Sequence, residues 1–447
     1  MINHFNNYIN HNNLCQPEDK IILAISGGID SVSMFYLFLE NDYKNLIVAH
    51  CNFSLRGTES DEDETFVKNL AEKNNIPFYT IRFDTQSYAT ENGISIQMAA
   101  RELRYEWFNK LQNELNAKFI AIAHNSDDNV ETFLLNISRG TGLKGLTGIK
   151  PKNDNIIRPL LFASREMLVN YCSEKNIEYR TDSSNRDNHY LRNNLRNIII
   201  PQFKTSFPAF SNNIIGNIER FEGIYEVYEN YIEKLKNELF TYSNNLIEID
   251  IYKLLLQKPI TTILFELIKG YNFKIEVVNE IIESLKGISG KSFYSQTHRI
   301  IKDREKLIIT EIPKENNQLF YIDFDSETEG LPIKLKFEIF DYNSDFQFDK
   351  SASIAYFDAD KIIFPLILRK WNHGDYFIPF GMSGLKKISD FFTDKKLSLI
   401  DKENAWLLCN GKDIIWITGM RTDNRFRITE NTKNVLVIKI LTIKNNS

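Results

Sequence analysis

The sequence is poor in cysteine: four in 447 residues, at Cys15, Cys51, Cys172 and Cys409, with no C-x-x-C pair among them. Zinc ribbons, zinc-dependent base deaminases and thioredoxin-like redox chemistry thereby lose their usual ligands. Thiols this scattered suit a reducing compartment, and their plain reading is as small buried hydrophobes. The seven histidines show no H-x-x-x-H spacing, so no metal site built from protein ligands is expected. Long apolar runs are missing too. The longest, such as Ile21–Ile25 and Phe119–Ala123, are about five residues, where a membrane span needs about 20. The Asn- and His-rich start, Met1 to Gln16, resembles neither a signal nor a transit peptide. Together these absences predict a soluble, cytoplasmic protein with no membrane partner.

Nor is there an excess of positive charge. Fifty-four Lys and Arg stand against 59 Asp and Glu, a net charge of −5, which excludes a uniformly basic nucleic-acid coat but not a local basic face. Residues 139–204 carry 12 basic side chains against 6 acidic, and residues 361–396 carry 7 against 3. Segregation of this kind suits a protein that grips a phosphate backbone on one side, although charge runs more often mean only solvated surface. What remains is an ordinary globular balance, 43% hydrophobic and 25% charged. The length corresponds to two or three domains at roughly 150 residues each.

The first third alternates strand and helix signals. Ile21–Ile25, Leu46–His50, Phe78–Phe83 and Lys118–His124 read as strands. Between and after them lie helical patterns: one with Val32, Phe35, Tyr36 and Leu39 on a single face, then Ser60–Asn74, Gln97–Leu115 and Asp127–Ser138. Such alternation predicts an α/β fold, a mainly parallel sheet with helices on both faces. Ligands of these sheets bind beyond the carboxyl ends of the strands, where Ser26, His50 and His124 all fall. From about Ser211 to Ile312 the strand signal disappears. Ile214–Leu239, Ile260–Ile268 and Val277–Leu285 have helical periodicity, which predicts a small helical module. In the tail, Trp406–Cys409 and Asp413–Thr418 flank Asn410-Gly411, a strong hairpin signal, and Arg425–Thr429 and Val435–Ile440 add strands.

Ser26-Gly27-Gly28-Ile29-Asp30-Ser31 sits between the first strand and an amphipathic helix. Its glycines let the backbone approach an anion closely, and the helix start offers free N–H groups with the positive end of its dipole. Ser26 and Ser31 add hydroxyl donors. No lysine follows, so this is not a Walker-type phosphate loop. A simple connecting turn is the competing reading.

With S-G-G-x-D-S in that setting, the chain resembles the PP-loop ATP pyrophosphatase superfamily. Further blocks narrow the resemblance: His50-Cys51-Asn52-Phe53-Ser54-Leu55-Arg56-Gly57, Ala100-Arg101-Glu102-Leu103-Arg104-Tyr105, and His124-Asn125-Ser126-Asp127-Asp128-Asn129-Val130-Glu131-Thr132. Asp182-Ser183-Ser184-Asn185, Arg192-Asn193-Asn194-Leu195-Arg196 and the tail blocks Leu368-Arg369-Lys370-Trp371 and Lys386-Lys387-Ile388-Ser389-Asp390-Phe391-Phe392 continue it. Together they are similar to the tRNA(Ile)-lysidine synthetase family. That family usually reads H-H-x-D-D-Q where Asn125 and Asn129 stand here, which leaves any role of the second histidine open.

The resemblance implies three domains: a catalytic PP-loop domain over 1–212, a helical tRNA-binding domain over 213–318 and a C-terminal α+β tRNA-binding domain over 319–447. It implies ATP-dependent adenylation of C2 of the wobble cytidine in an isoleucine tRNA with a CAU anticodon, then attack by the ε-amine of free L-lysine. Lysidine, AMP and diphosphate are the products. Ser26, Gly27, Gly28, Ile29, Asp30, Ser31 and His50 would hold ATP, with Asp30 placing Mg²⁺ on the phosphates. Asp127, Asp128 and Arg101 would be catalytic, since a lysine ammonium must be held and deprotonated. The competing reading of Asp127 and Asp128 is first-turn acids on the helix dipole, with Ser126 as the cap. Arg139, Arg192, Arg196, Arg369, Lys386 and Lys387 would bind lysine or tRNA. Phe391, Phe392 and Trp371 could stack on bases, with burial in a β domain as the stronger alternative. Thiolation or amidation of another acceptor remains a second reading of the ATP site, and an inactive tRNA-binding scaffold a third. The oligomeric state, a homodimer included, is open.

Overall fold

The computed structural model describes residues 1–181, 191–243, 246–313, 318–326, 328–343 and 346–443. They form two compact units, Met1–Glu229 and Asn230–Ser447.

The first unit contains α1 (Ile2–His11), β1 (Ile21–Ala24), α2 (Ile29–Glu40), β2 (Leu46–Asn52), α3 (Thr58–Lys73), β3 (Phe78–Arg82) and α4 (Thr85–Asn92). It continues with α5 (Ile96–Leu115), β4 (Phe119–Ile122), α6 (Ser126–Arg139), β5 (Lys152–Asn153), β6 (Ile156–Ile157) and α7 (Arg165–Glu174). The sheet order is β3-β2-β1-β4-β6-β5, parallel throughout except for the last pair. This is the α/β architecture expected. Because β1 has a parallel partner on each side and helices on both faces, Ile21, Ile22 and Leu23 of its short apolar run are fully buried. Leu23, Ala121 and Ile157 pack with α1, α2 and α7 on one face. Ile22, Ile47 and Ile120 pack with Phe108 and Leu111 of α5 on the other.

Helix α2 departs from the one-faced pattern expected of it. Met34, Leu37 and Phe38 are buried alongside Val32 and Phe35, because α2 lies between the sheet and the flanking α1 and α7. Phe5 of α1 meets Phe38 edge-on at 5.2 Å. Chain order reverses direction across the sheet between β1 and β4. The loops leaving these two strands flank the crevice where such sheets bind ligands. After α7 come α8 (Leu191–Asn194), a π-helical stretch Leu195–Ile199, α9 (Ile200–Ser206) and α10 (Phe210–Leu239).

In the second unit the expectation of a purely helical middle is corrected. Strands β7 (Phe240–Ser243), β8 (Leu246–Asp250), β9 (Ser292–Tyr294), β10 (His298–Asp303) and β11 (Lys306–Glu311) form an antiparallel sheet in the order β7-β8-β11-β10-β9. Helices α11 (Ile251–Leu255), α12 (Ile260–Ile268) and α13 (Ile275–Ser284) are inserted between β8 and β9. The strands are only three to six residues long, so the helical periodicity of their neighbours dominates the local pattern.

The C-terminal part holds a five-stranded antiparallel sheet and a three-stranded one, with two short helices. Leu366–Lys370, Trp406–Asn410 and Asp413–Ile417 are adjacent in the larger sheet. Asn410 pairs with Asp413 across the expected hairpin, whose Gly411 has φ +58°. Arg425–Thr429, read from sequence as a strand, instead begins in a 3₁₀ turn, Asn424–Phe426. Asp423 caps that turn by accepting from the Arg425 N–H at 2.8 Å. Phe391 and Phe392 are buried and Trp371 donates to the Lys402 carbonyl at 2.7 Å, so these rings belong to the core. Among the described residues no helix is long and apolar enough to cross a membrane.

Candidate active site

The loop leaving β1 is organised by Ser31. Its Oγ accepts from the Ser26 N–H at 3.2 Å, lies 3.1 Å from the Ser26 hydroxyl and donates to the Gly28 carbonyl at 2.9 Å. Gly27 has φ +92°, a conformation that a side chain would strain even though a Cβ there would meet only Phe66 and Val67 at 3.5 Å. Gly28 is the N-cap of α2 and, among the described residues, no side chain caps the helix, which leaves its first N–H groups for an anion. On the outer side, the Gly27 carbonyl accepts from the Arg180 N–H at 3.0 Å. The Arg180 guanidinium is bound to Glu62 and Asp63 on α3. Buried His50 donates from Nδ1 to the Ile25 carbonyl at 2.9 Å, and burial lowers its pKa, so Nε2 is left as an acceptor.

Asp30, in the first turn of α2, faces the loop that leaves β4. Burial pushes its carboxyl pKa up, and the nearby Arg165 guanidinium pulls it back. Asn125 donates from Nδ2 to Asp30 Oδ1 at 3.1 Å, and Arg165 donates from Nη1 to Oδ2 at 3.4 Å. Asn125 is also the N-cap of α6, which corrects the reading of Ser126 as cap. Its Oδ1 accepts from the Asp128 N–H while Asp128 Oδ2 accepts from the Asn125 N–H, both at 3.0 Å, a reciprocal capping box. The residue that departs from the family pattern thus carries both a structural and a bridging role. Asn129, the other departure, accepts from the Ile149 N–H at 2.7 Å and pins the loop after α6.

The two expected catalytic acids separate. Asp127 turns to α7, accepting from the Arg165 N–H at 2.8 Å, with Lys204 Nζ 3.6 Å away. Asp128 turns to the arginines: its Oδ1 accepts from Arg192 at 3.1 Å and Arg196 at 2.9 Å. Glu131, one turn along α6 and 1% exposed, accepts from Arg192 Nε at 2.7 Å and Arg196 Nε at 2.5 Å. Two mostly buried carboxylates therefore balance two guanidiniums that keep partial access to water. His124 lies beside it. Burial lowers its pKa to about 4, Asp128 works against this, and Arg158, Arg192 and Arg101 work with it. Its Nδ1 is buried with no hydrogen-bond partner among the described residues.

Arg101 stands on α5, exposed, with its guanidinium 4.9 Å from the Tyr105 ring centroid. It forms no ion pair among the described residues. Arg139 is exposed at the end of α6. In the second unit Arg369 is held bidentately by Asp375 at 2.8 Å on each arm, Lys386 pairs with Asp394 at 2.5 Å, and Lys387 is exposed. Glu131, Arg165 and Arg180 had no assigned role from sequence. For Glu131 the i, i+3 spacing from Asp128 was the available signal. For the two arginines there was none, since their side-chain partners lie more than a hundred residues away.

Residues 1–203 match the model of the PP-loop domain, and residues 242–312 match that of the TilS substrate binding domain. The chain is 42% identical over 441 residues to the tRNA(Ile)-lysidine synthase of Parabacteroides distasonis, covering 99% of this chain and 100% of that protein. It is 42% identical over 435 residues to the enzyme of the same name from Bacteroides thetaiotaomicron, covering 97% and 98%. With that of Porphyromonas gingivalis strain W83 the identity is 37% over 436 residues, covering 94% of each chain. Coverage this complete, at these identities, extends across both units: the chain belongs to the tRNA(Ile)-lysidine synthase family.

Proposed function

We propose that this protein forms lysidine on an isoleucine tRNA with a CAU anticodon by ATP-dependent ligation of free L-lysine. The observation that carries the proposal is the joining of two strand-end loops: the glycine loop with Asp30 on one side, and the Asn125–Asp128 capping box on the other. One loop is suited to a diphosphate and the other presents carboxylates to an amine.

In the first step the C2 oxygen of cytidine bonds to the α-phosphorus of ATP and the bond to the β-phosphate bridge breaks, releasing diphosphate. The Gly27–Ser31 loop holds the leaving group through backbone N–H and hydroxyl donors. The Asp30 carboxylate suits Mg²⁺, which binds through one or two carboxylates plus phosphate oxygens rather than a full protein cage. When bound, the ion would neutralise phosphate charge. In the second step the ε-amine forms a bond to C2 and AMP leaves. Asp128 and Glu131 hold the lysine ammonium near the adenylated base. A proton leaves the amine for a carboxylate of this cluster, and Arg192 and Arg196 shift toward anionic groups of lysine or AMP. Arg101 serves the chemistry by meeting charge that develops on the phosphates, while Arg139, Arg369, Lys386 and Lys387 serve tRNA contact in this reading. So do the segments 213–318 and 319–447 beside a catalytic 1–212. The scheme holds for a monomer or a homodimer.

Asp128→Asn tests it. The amide keeps an oxygen for the capping bond from the Asn125 N–H but loses the charge. Radiolabelled lysine should no longer enter tRNA while the circular dichroism spectrum is unchanged. Full incorporation by this variant would reject the assignment, and failure of the wild type to label tRNA would reject the function.

A further inference from the structure

The glycine loop contains no lysine, yet it must hold a leaving group carrying several negative charges. The neighbouring cations are mostly committed. Arg180 is bound through its guanidinium to Glu62 and Asp63, and Arg192 and Arg196 to Asp128 and Glu131. Lys204 lies 3.6 Å from Asp127, outside the loop. Among the described residues, Arg165 alone touches a loop residue with its charged end, through the 3.4 Å contact from Nη1 to Asp30 Oδ2.

The two parts of Arg165 are held very differently. Its backbone N–H donates to Asp127 at 2.8 Å, and Ser164 caps α7 by accepting from the Met167 N–H at 3.2 Å. The main chain is therefore anchored beside the site. The side chain is 44% exposed and has one long, single-armed bond, a weak contact in which little is lost on exchange. A planar guanidinium gains more from two phosphate oxygens, which match its fork.

We propose that Arg165 is the transferable cation of the phosphate loop: it rests on Asp30 without nucleotide and moves onto the β,γ-diphosphate portion of ATP when ATP binds. The move frees a carboxylate oxygen of Asp30 at the moment the phosphates arrive. No covalent bond changes. The proposal rests on the ATP reading above and adds a residue that the loop motif does not contain.

Titration calorimetry on the full chain tests it with inorganic diphosphate, ATP and AMP as separate probes. Arg165→Ala retains the backbone bond to Asp127, so the fold should hold, and its melting curve checks this. Diphosphate and ATP should bind about 10- to 100-fold more weakly to the variant, the loss of one charge-assisted contact. AMP affinity should stay within about twofold, and Arg165→Lys should recover part of the loss. Unchanged diphosphate affinity overturns the proposal, as does an equal loss for AMP. Tighter ATP binding overturns it too, since Arg165 would then be only a plug on Asp30. If the wild type binds neither ATP nor diphosphate, it is the underlying ATP reading that fails.

Discussion

Asn125 donates from its side-chain amide to Asp30 Oδ1 at 3.1 Å, across 95 residues of sequence, while the same side chain caps α6. One short residue thus couples the phosphate loop to the helix that carries Asp128 and Glu131.

The two roles can be separated. Asn125→Ser keeps a capping oxygen but is too short to reach Asp30, so stability should stay within about 0.5 kcal/mol of wild type. Asn125→Ala loses both and should cost about 1 kcal/mol. If the link to Asp30 matters for chemistry, both variants should lose kcat/KM to a similar degree. Urea unfolding and single-turnover AMP release provide the two measurements.

Glu131 is the most deeply buried acid of the cluster. Glu131→Ala leaves Arg192 and Arg196 with Asp128 alone, at 41% and 28% side-chain exposure. Partial access to water limits the penalty, which should be about 2–3 kcal/mol. Glu131→Gln retains an acceptor and should cost less. Denaturant midpoints at constant slope would check the order of the two.

His124 makes stability depend on pH. Its folded pKa, about 4, lies below the ordinary 6.5, because burial disfavours the charged imidazole. The unfolded chain therefore takes up a proton first as pH falls. The stability conferred by the neutral ring is complete above about pH 6.5 and is lost progressively toward pH 4. His124→Gln should flatten the unfolding free energy across that interval. Subtracting the two curves cancels the opposite contribution of Asp30, whose carboxyl pKa burial raises.

In the second unit two basic residues should respond differently. Arg369 is clamped by Asp375 with both groups mostly buried, so Arg369→Ala should cost about 2 kcal/mol of stability. Lys387 is exposed, and Lys387→Ala should leave stability within about 0.5 kcal/mol. If Lys387 meets an RNA phosphate, its loss should reduce the slope of log affinity against log salt by about one. Filter binding of tRNA over a salt series measures that slope.

Much of the scaffold could be read locally. The apolar runs, the glycine loop at a strand-to-helix junction and the Asn410-Gly411 hairpin each depend on residues close in the chain, and each is present where expected. The short strands between 240 and 311 could not be read this way. Segments such as His298–Asp303 and Lys306–Glu311 become strands by pairing with each other and with β9 and β8 respectively, not by a long alternating pattern. Arg425–Thr429 failed for the opposite reason: Asp423 captures the Arg425 N–H and turns the chain before a strand can form.

The sequence alone determined that a lysine-free phosphate loop precedes a helix, and that paired acids open another, because spacing within a few residues is enough for both. Tertiary structure alone decided that Asp127 serves α7 while Asp128 meets two arginines, and that Arg165 reaches back to Asp30. Adjacent side chains on a helix point about 100° apart, so each meets whatever the fold brings to its own side. The 135 residues between Arg165 and Asp30 are closed only when β1 and β4 lie side by side in the sheet.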